Sequence, residues 1–338
     1  MSSPTLRALS IVVLATVPLL VIFAWQSFKR NHAKPSPTPA GKQRLAFGKF
    51  GEADEDFQGP FGVSLGPEGD LYIADDLAHK IVVYSQDGGF KRRLGERGSI
   101  PGAVAWPDAV ALNSAGHLLI ADTGNNRIQT WTLTGEFLNE FGQPAIAGGD
   151  GLKNPRDVAV DQAGRIYVAN FNGNSVDIFD AEGRLLRQIK QLVPASGESK
   201  AEDVFLNPIQ LAIAGGRTLF VVDNRLHEVV ELDLDGNLIR RFGKRGNGAG
   251  ELEFPHGIAI GPEGNIHVAD YGNHRIQIWS KEGQFLRGLG HEGSGPGELR
   301  EPTDLCFLAD GLLAIVDKGN HRIVVWQVNE DATSMRRD

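Results

Sequence analysis

Six prolines, Pro60, Pro107, Pro155, Pro208, Pro255 and Pro302, punctuate this 338-residue chain at intervals of 47, 48, 53, 47 and 47 residues. Each opens an apolar run that leads, through a polar turn, into a second apolar run ending in Asp or Asn. A period of this size made of short strands marks a repeat architecture in which each unit hides its apolar faces against its neighbours. Length alone would allow two domains, but the repeat absorbs residues 42–328 into one body.

The fifth repeat shows the internal plan. Residues 255–260 read as a first strand, and Gly261-Pro-Glu-Gly264 as a turn whose positive-φ positions glycine supplies. Residues 266–270, 275–279 and 285–289 read as three more strands separated by short turns. Four antiparallel strands per unit and no helix signal in the body predict an all-β fold, with each unit a blade of a β-propeller. The same columns recur along the chain. The second strands end at Asp75, Asp122, Asn170, Asp223, Asp270 and Asp317, and the third open on His79-Lys80, Asn126-Arg127, Asn174-Ser175, His227-Glu228, His274-Arg275 and His321-Arg322.

The sixth repeat stops after its third strand at Trp326-Gln-Val328, whereas Arg44-Leu-Ala-Phe-Gly48 matches the fourth-strand ending Arg240-Arg-Phe-Gly243. The N-terminal segment is therefore expected to complete the last blade. Otherwise the first and last blades would keep open strand edges.

The run Asn273-His274-Arg275-Ile276, repeated as Asn320-His321-Arg322-Ile323, resembles the signature of the NHL repeat family over about 285 residues. The resemblance implies a six-bladed NHL-type propeller. NHL propellers bind RNA or proteins, or follow RING and B-box zinc modules, and the single Cys306 cannot build such a module or an intrachain disulfide. Residues 1–41 hold no Asp or Glu, so the body carries all 42 acids against 30 of the 34 bases. About 12 net negative charges argue against a nucleic-acid partner.

Ahead of the repeats, residues 1–7 form a short tail and Ala8 to Trp25 an uncharged stretch of 18 residues, just long enough for one transmembrane helix. A cleaved signal peptide is the competing reading, but Phe23-Ala-Trp-Gln-Ser27 lacks small residues at A-x-A spacing. Residues 26–41, with Pro35, Pro37 and Pro39, read as a semi-rigid linker, and 329–338 as a tail. The expectation is a single-pass membrane protein. Lys29, Arg30 and Lys34 favour a cytoplasmic body on the positive-inside rule, yet a lone N-terminal segment before a large soluble domain more often acts in export, and an extracytoplasmic (periplasmic) propeller is expected.

The recurring Asp and His suit turn-locking better than catalysis, because they repeat in nearly every blade and an active site is needed once. The Arg after each His is expected to lie on its blade with its charge solvated. Positions that do not repeat are more informative. After the opening prolines stand Phe61-Gly62, Asp108-Ala109, Arg156-Asp157, Ile209-Gln210, His256-Gly257 and Thr303-Asp304, where the first strands converge on the channel. Asp108, Arg156, Asp157, Gln210, His256 and Asp304 are the candidate ligand-binding residues of a channel rim, with a solvated rim as the bland alternative. The divergent third repeat, with Gln188-Ile-Lys190 where Phe-Gly is expected, and its 17-residue connection Gln191 to Asn207 are a further place for function. The acidic run Glu52 to Asp56 reads as a solvated loop before a calcium contact.

Peptidylamidoglycolate lyases resemble this chain as six-bladed relatives whose zinc-binding His residues follow blade-opening prolines. Only His256 matches, and Asp108, Ile209 and Thr303 stand where further His would be needed. The expected function is a membrane-tethered binding or scaffold module for a protein or small polar ligand at the channel face, with no catalytic residue, metal ligand or cofactor assigned. The rival is a lyase or hydrolase using Asp108, Arg156, Asp157, His256 and Asp304 with an oxygen-coordinated divalent ion.

Overall fold

The computed structural model describes residues 42–143, 151–194 and 204–328. They form six antiparallel sheets arranged as consecutive blades: 60–94, 107–141, 155–189, 208–242, 258–289, and 302–327 closed by Lys42–Phe47. The expected closure is present. Lys42–Phe47 pairs antiparallel with Arg322–Gln327, from Lys42 opposite Gln327 to Phe47 opposite Ile323, so the N-terminal strand and the last three strands make one sheet.

Second and third strands such as Leu71–Asp75 and Lys80–Tyr84 are buried along their whole length. They read as near-continuous β-branched and aliphatic runs because a neighbouring blade covers each face. Outer strands such as Phe137–Phe141 keep exposed positions. The core divides into six clusters, one at each junction between neighbouring blades. Trp131 packs with Tyr72 and Ile81 between blades 1 and 2, and Trp326 with Ile278 and Leu289 between blades 5 and 6. No blade buries its faces alone, which is why the repeat needs its ring.

Blade 4 departs from the plan. Val193–Pro194, from the long connection after blade 3, adds a fifth strand parallel to Asn237–Phe242. Residues 195–203 of that connection, and the predicted anchor, linker and C-terminal tail, lie outside the described residues. Among the described residues no helix is long and apolar enough to cross a membrane. Around the channel two glycines allow close approach of the inner strands. A Cβ on Gly62 would lie 2.3 Å from the Asp108 carbonyl oxygen, and one on Gly257 2.6 Å from the Asp304 Cα.

Candidate functional site

The repeating polar residues form one network, copied from blade to blade. Asp122, Asp270 and Asp317, each wholly buried, accept the backbone N–H of Ala105, Glu253 and Arg300 at 2.6–2.7 Å, 17 residues upstream. Each also takes the side-chain amide of Asn125, Asn273 or Asn320 and the Nε of Arg127, Arg275 or Arg322. The Arg heads are not solvated as expected. Arg127 and Arg275 are 1% and 7% exposed, because their outer amino groups donate to carbonyls of the loop entering the blade, at Ile100 and Ala103, and at Gly248 and Glu251. Each loop carbonyl pair is thus met by a guanidinium. In blade 1 Lys80 does the same for Ala53 and Asp54, which seats an ammonium inside the acidic 52–56 loop, and Asp56 turns back onto Ala53 N–H.

The His column also acts elsewhere than expected. His79, Asn126, Asn174, His227, His274 and His321 all have left-handed φ of 51–57°, a region where Asn and His are enriched. Rather than closing its own hairpin, the Nδ1 of His79, His227 and His274 accepts the N–H of Trp106, Phe254 or Glu301, just before the next blade's proline. His321 lies edge-on to Phe50 instead, and its Nδ1 has no partner.

Blade 3 keeps this network with its charges rearranged. Asn170 replaces Asp, Ser175 replaces Arg, and Asp177 supplies the carboxylate that Gln129 and Gln277 do not. Asn170, Ser175 and Gln188 all donate to Asp177. The divergence at these positions is therefore structural compensation.

What remains converges on one mouth of the channel. In blades 1, 2, 3, 4 and 6 the register slips by one residue immediately after the proline, leaving Phe61, Asp108, Arg156, Ile209 and Thr303 as the extra residue of a β-bulge. A bulge re-aims a side chain, so the first residue after the proline and the second can serve different levels of the channel. Phe61 reaches across from blade 1 and stoppers it. Its ring is met by Arg156 of blade 3 at 5.7 Å, Lys318 of blade 6 at 4.4 Å and His256 of blade 5 at 5.6 Å, and Ile209 of blade 4 shares its cluster.

Around Phe61 the charges are paired. Arg156 contacts Asp108 at 2.8 Å and lies over Phe171 at 4.8 Å, and Lys318 contacts Asp76 at 2.7 Å. His256 stacks on Tyr271 at 4.4 Å. Burial, with Lys318 and Arg156 nearby, pushes His256 down to about 3, so its ring is neutral. Burial raises Asp108 to about 6 against the pull of Arg156. Asp76 Oδ1, Arg156 Nε and His256 Nδ1 are buried atoms that make no hydrogen bond, whereas Asp108 Oδ2 is the oxygen that Arg156 meets.

Of the six expected rim residues, Asp108, Arg156 and His256 thus meet around Phe61. Asp157, Gln210 and Asp304 lie lower, lining a cavity of about 400 Å³ with Ser64 and Cys306. There Asp304 accepts Val63 N–H, Leu305 N–H and Gln210 Nε2, and Asp157 accepts Leu211 N–H. Burial raises Asp304 to about 7, and burial plus Asp304 holds Asp157 well above the carboxylate range. Sequence reasoning missed the partners at the mouth, namely Asp76, Phe171, Tyr271 and Lys318. Their signal was available, since each directly follows the repeated Asp or Asn and none repeats.

Six four-stranded blades around a channel, closed by an N-terminal strand, define a six-bladed β-propeller. The chain carries NHL repeats, matched at residues 105–131, 152–179, 252–279 and 299–326 within blades 2, 3, 5 and 6 and the loops that open them. It is 29% identical to the Drosophila melanogaster protein brain tumor over 114 residues, 33% of this chain and 10% of that one. It is 36% identical to human NHL repeat-containing protein 3 over 89 residues, 25% of this chain and 26% of that protein. The chain thus spans about a tenth and about a quarter of these relatives. Among solved structures, a gluconolactonase from Xanthomonas campestris superposes with a TM-score of 0.62 at 15% identity, covering 88% of this chain and 99% of that one, a likeness of fold alone.

Proposed function

We propose that this chain is a membrane-tethered NHL propeller that acts as a binding module, taking a protein or small polar ligand at the channel mouth. The observation that carries the proposal is the convergence of non-repeating side chains around Phe61, where Asp76 Oδ1, Arg156 Nε and His256 Nδ1 are buried without a hydrogen-bond partner. Folding explains the repeated network; it does not explain Asp108, Arg156, His256, Asp76 and Lys318. Residues 8–25 supply the anchor and the ring faces the extracytoplasmic side, a reading supported by the uncharged stretch and the proline-rich linker. A photo-crosslinking residue at Asn224, which also follows a repeated Asp, tests the mouth against the same residue at exposed Leu138 on an outer strand. Adducts from position 224 alone support the proposal, and equal or no adducts from both positions refute it. Fractionation of the full chain and of a 1–41 deletion tests the tether, and a C-terminal topology reporter tests the side.

One observation favours the enzyme reading. A carboxyl held at about 6, Asp108, shares the mouth with the neutral His256, as acid–base chemistry near neutrality requires. Among the described residues no three His, Cys, Asp or Glu converge as metal ligands. Stoichiometric divalent metal in the purified protein, lost with His256→Ala, would favour the enzyme; metal-free protein leaves the binding module.

A further inference from the structure

Below Phe61 the channel carries titratable carboxyls and no cation to match them. At the second position after each proline the ring reads Gly62, Ala109, Asp157, Gln210, Gly257 and Asp304. Three of these are Gly or Ala, so blades 3, 4 and 6 supply the polar side chains of that level. Among the described residues no Lys, Arg or His contacts either Asp, and Arg156, the neighbour of Asp157, is turned to Asp108 at the mouth. The mouth, by contrast, pairs Asp108 with Arg156 and Asp76 with Lys318. Asp157 and Asp304 are 5% and 4% exposed. Buried charges are normally paired; here burial and the nearness of Asp304 hold Asp157 well above the carboxylate range instead.

This level has room beside it. The cavity of about 400 Å³ runs from Asp157, Gln210 and Asp304 to Val160, Ile213 and Phe307 near the ends of the inner strands. Phe61 stoppers the mouth above, so a ligand enters from the opposite face. Gln210, 7% exposed, spends its Nε2 on Asp304, and among the described residues nothing donates to its Oε1. A carboxylate oxygen accepts more than one hydrogen bond, and Asp304 Oδ2 receives Val63 N–H alone and Asp157 Oδ2 Leu211 N–H alone. Three acceptors on three blades thus line one cavity, and an ammonium group carries three donors and no acceptor. Beyond them Ile213 and Phe307 give an alkyl chain an apolar wall. A metal ion fits less well, since among the described residues no three His, Cys, Asp or Glu converge as ligands.

We propose that the lower cavity is a second binding site, separate from the mouth, for a short primary alkylammonium ion whose head is held by Asp157, Asp304 and Gln210 Oε1 and whose chain lies along Ile213 and Phe307. The bound cation supplies the countercharge that the fold omits. It draws the two carboxyls toward their ionised form, because an opposite charge nearby favours the carboxylate.

The test uses the full chain in phosphatidylcholine nanodiscs and phosphate buffer, since Tris and phosphatidylethanolamine are themselves primary amines. Calorimetry is run with n-butylammonium, its neutral match butan-1-ol, the anion butyrate, and potassium and calcium chloride, and saturation-transfer NMR with the organic probes. The amine is expected to bind below about 5 mM, and the alcohol and butyrate at least about 10-fold more weakly, because they leave the carboxyls unpaired or opposed. Asp157→Asn and Asp304→Asn should each weaken the amine about 10-fold with the melting curve retained, and Leu138→Ala should leave its binding unchanged. The comparison of amine with alcohol uses the unaltered protein, so it decides the matter even where a variant melts early. Equal binding of butan-1-ol or butyrate overturns the proposal, as does retained affinity in both Asn variants. So does an amine that fails to bind, or potassium or calcium that binds more tightly and displaces it. None of these results bears on the mouth, which crosslinking at position 224 reads.

Discussion

Asp270→Asn removes one charge from the centre of the blade 5 network while keeping the side chain's size. In the fold Asp270 is fully buried and receives Glu253 N–H at 2.7 Å, Asn273 and Gln277 amides at 2.9 Å, and Arg275 Nε at 2.8 Å. The substitution leaves Arg275, only 7% exposed, without its counterion. Removing one partner of a buried pair costs about 3–5 kcal/mol. At about 2 °C per kcal/mol for a domain of this size, the melting midpoint should fall by about 6–10 °C. Blade 3 shows how the loss is compensated. There the carboxylate stands at Asp177 and the neutral Asn170 and Ser175 point to it. The triple variant Asp270→Asn, Arg275→Ser, Gln277→Asp copies that arrangement and should recover at least half of the stability, as read by urea denaturation followed by circular dichroism. Two results refute the reasoning: a single variant within about 1 kcal/mol of wild type, or a triple variant no more stable than the single.

Deleting residues 42–47 opens the sixth sheet beside Arg322–Gln327, and should broaden thermal unfolding and lower its midpoint by more than the Asp270 variant; an unchanged midpoint refutes ring closure as a source of stability. Asp304 is raised to about 7 in the fold from 3.8, so between about pH 4 and 7 the native state holds a proton that the unfolded chain has released. Stability should therefore fall as pH rises through that window, and Asp304→Asn should flatten the fall in a plot of melting midpoint against pH. His256, lowered to about 3 from 6.5, contributes the opposite slope, stability gained as pH rises from about 3 to 6.5, which His256→Gln should remove. Gly62→Ala should destabilise by several kcal/mol, because its Cβ would lie 2.3 Å from the Asp108 carbonyl oxygen on the neighbouring strand; an Ala variant melting with wild type would show that the inner strands can separate there. His274→Ala should cost about 2 kcal/mol by unpairing Glu301 N–H and placing Ala at φ 57°.

The ring was legible because its cause is local and repeated. Strand lengths, glycine turns and the Asp columns recur at the spacing of the six prolines, and the match of Arg44–Gly48 to Arg240–Gly243 marks the closing strand. Asp108, Arg156 and His256 were legible as site candidates by the converse argument, since they stand where repetition stops. Arg127 and Arg275 were misread because a long cationic side chain usually reaches water; the loop carbonyls that bury them come from residues 24 to 27 positions away. The His column was misread for the same reason, its partner lying on the next blade.

Sequence alone thus determined the number of blades, their strand order, their closure and which residues do not repeat from blade to blade. Only the tertiary structure decided how those residues group. The bulge after five of the six prolines splits neighbouring residues between two levels, so Arg156 rises to the mouth with Asp108 while Asp157, the next residue, joins Gln210 and Asp304 below Phe61. The physical reason is that the blades meet at the channel through residues some 47 positions or more apart. Which of them touch is set by the closing of the ring rather than by any local pattern.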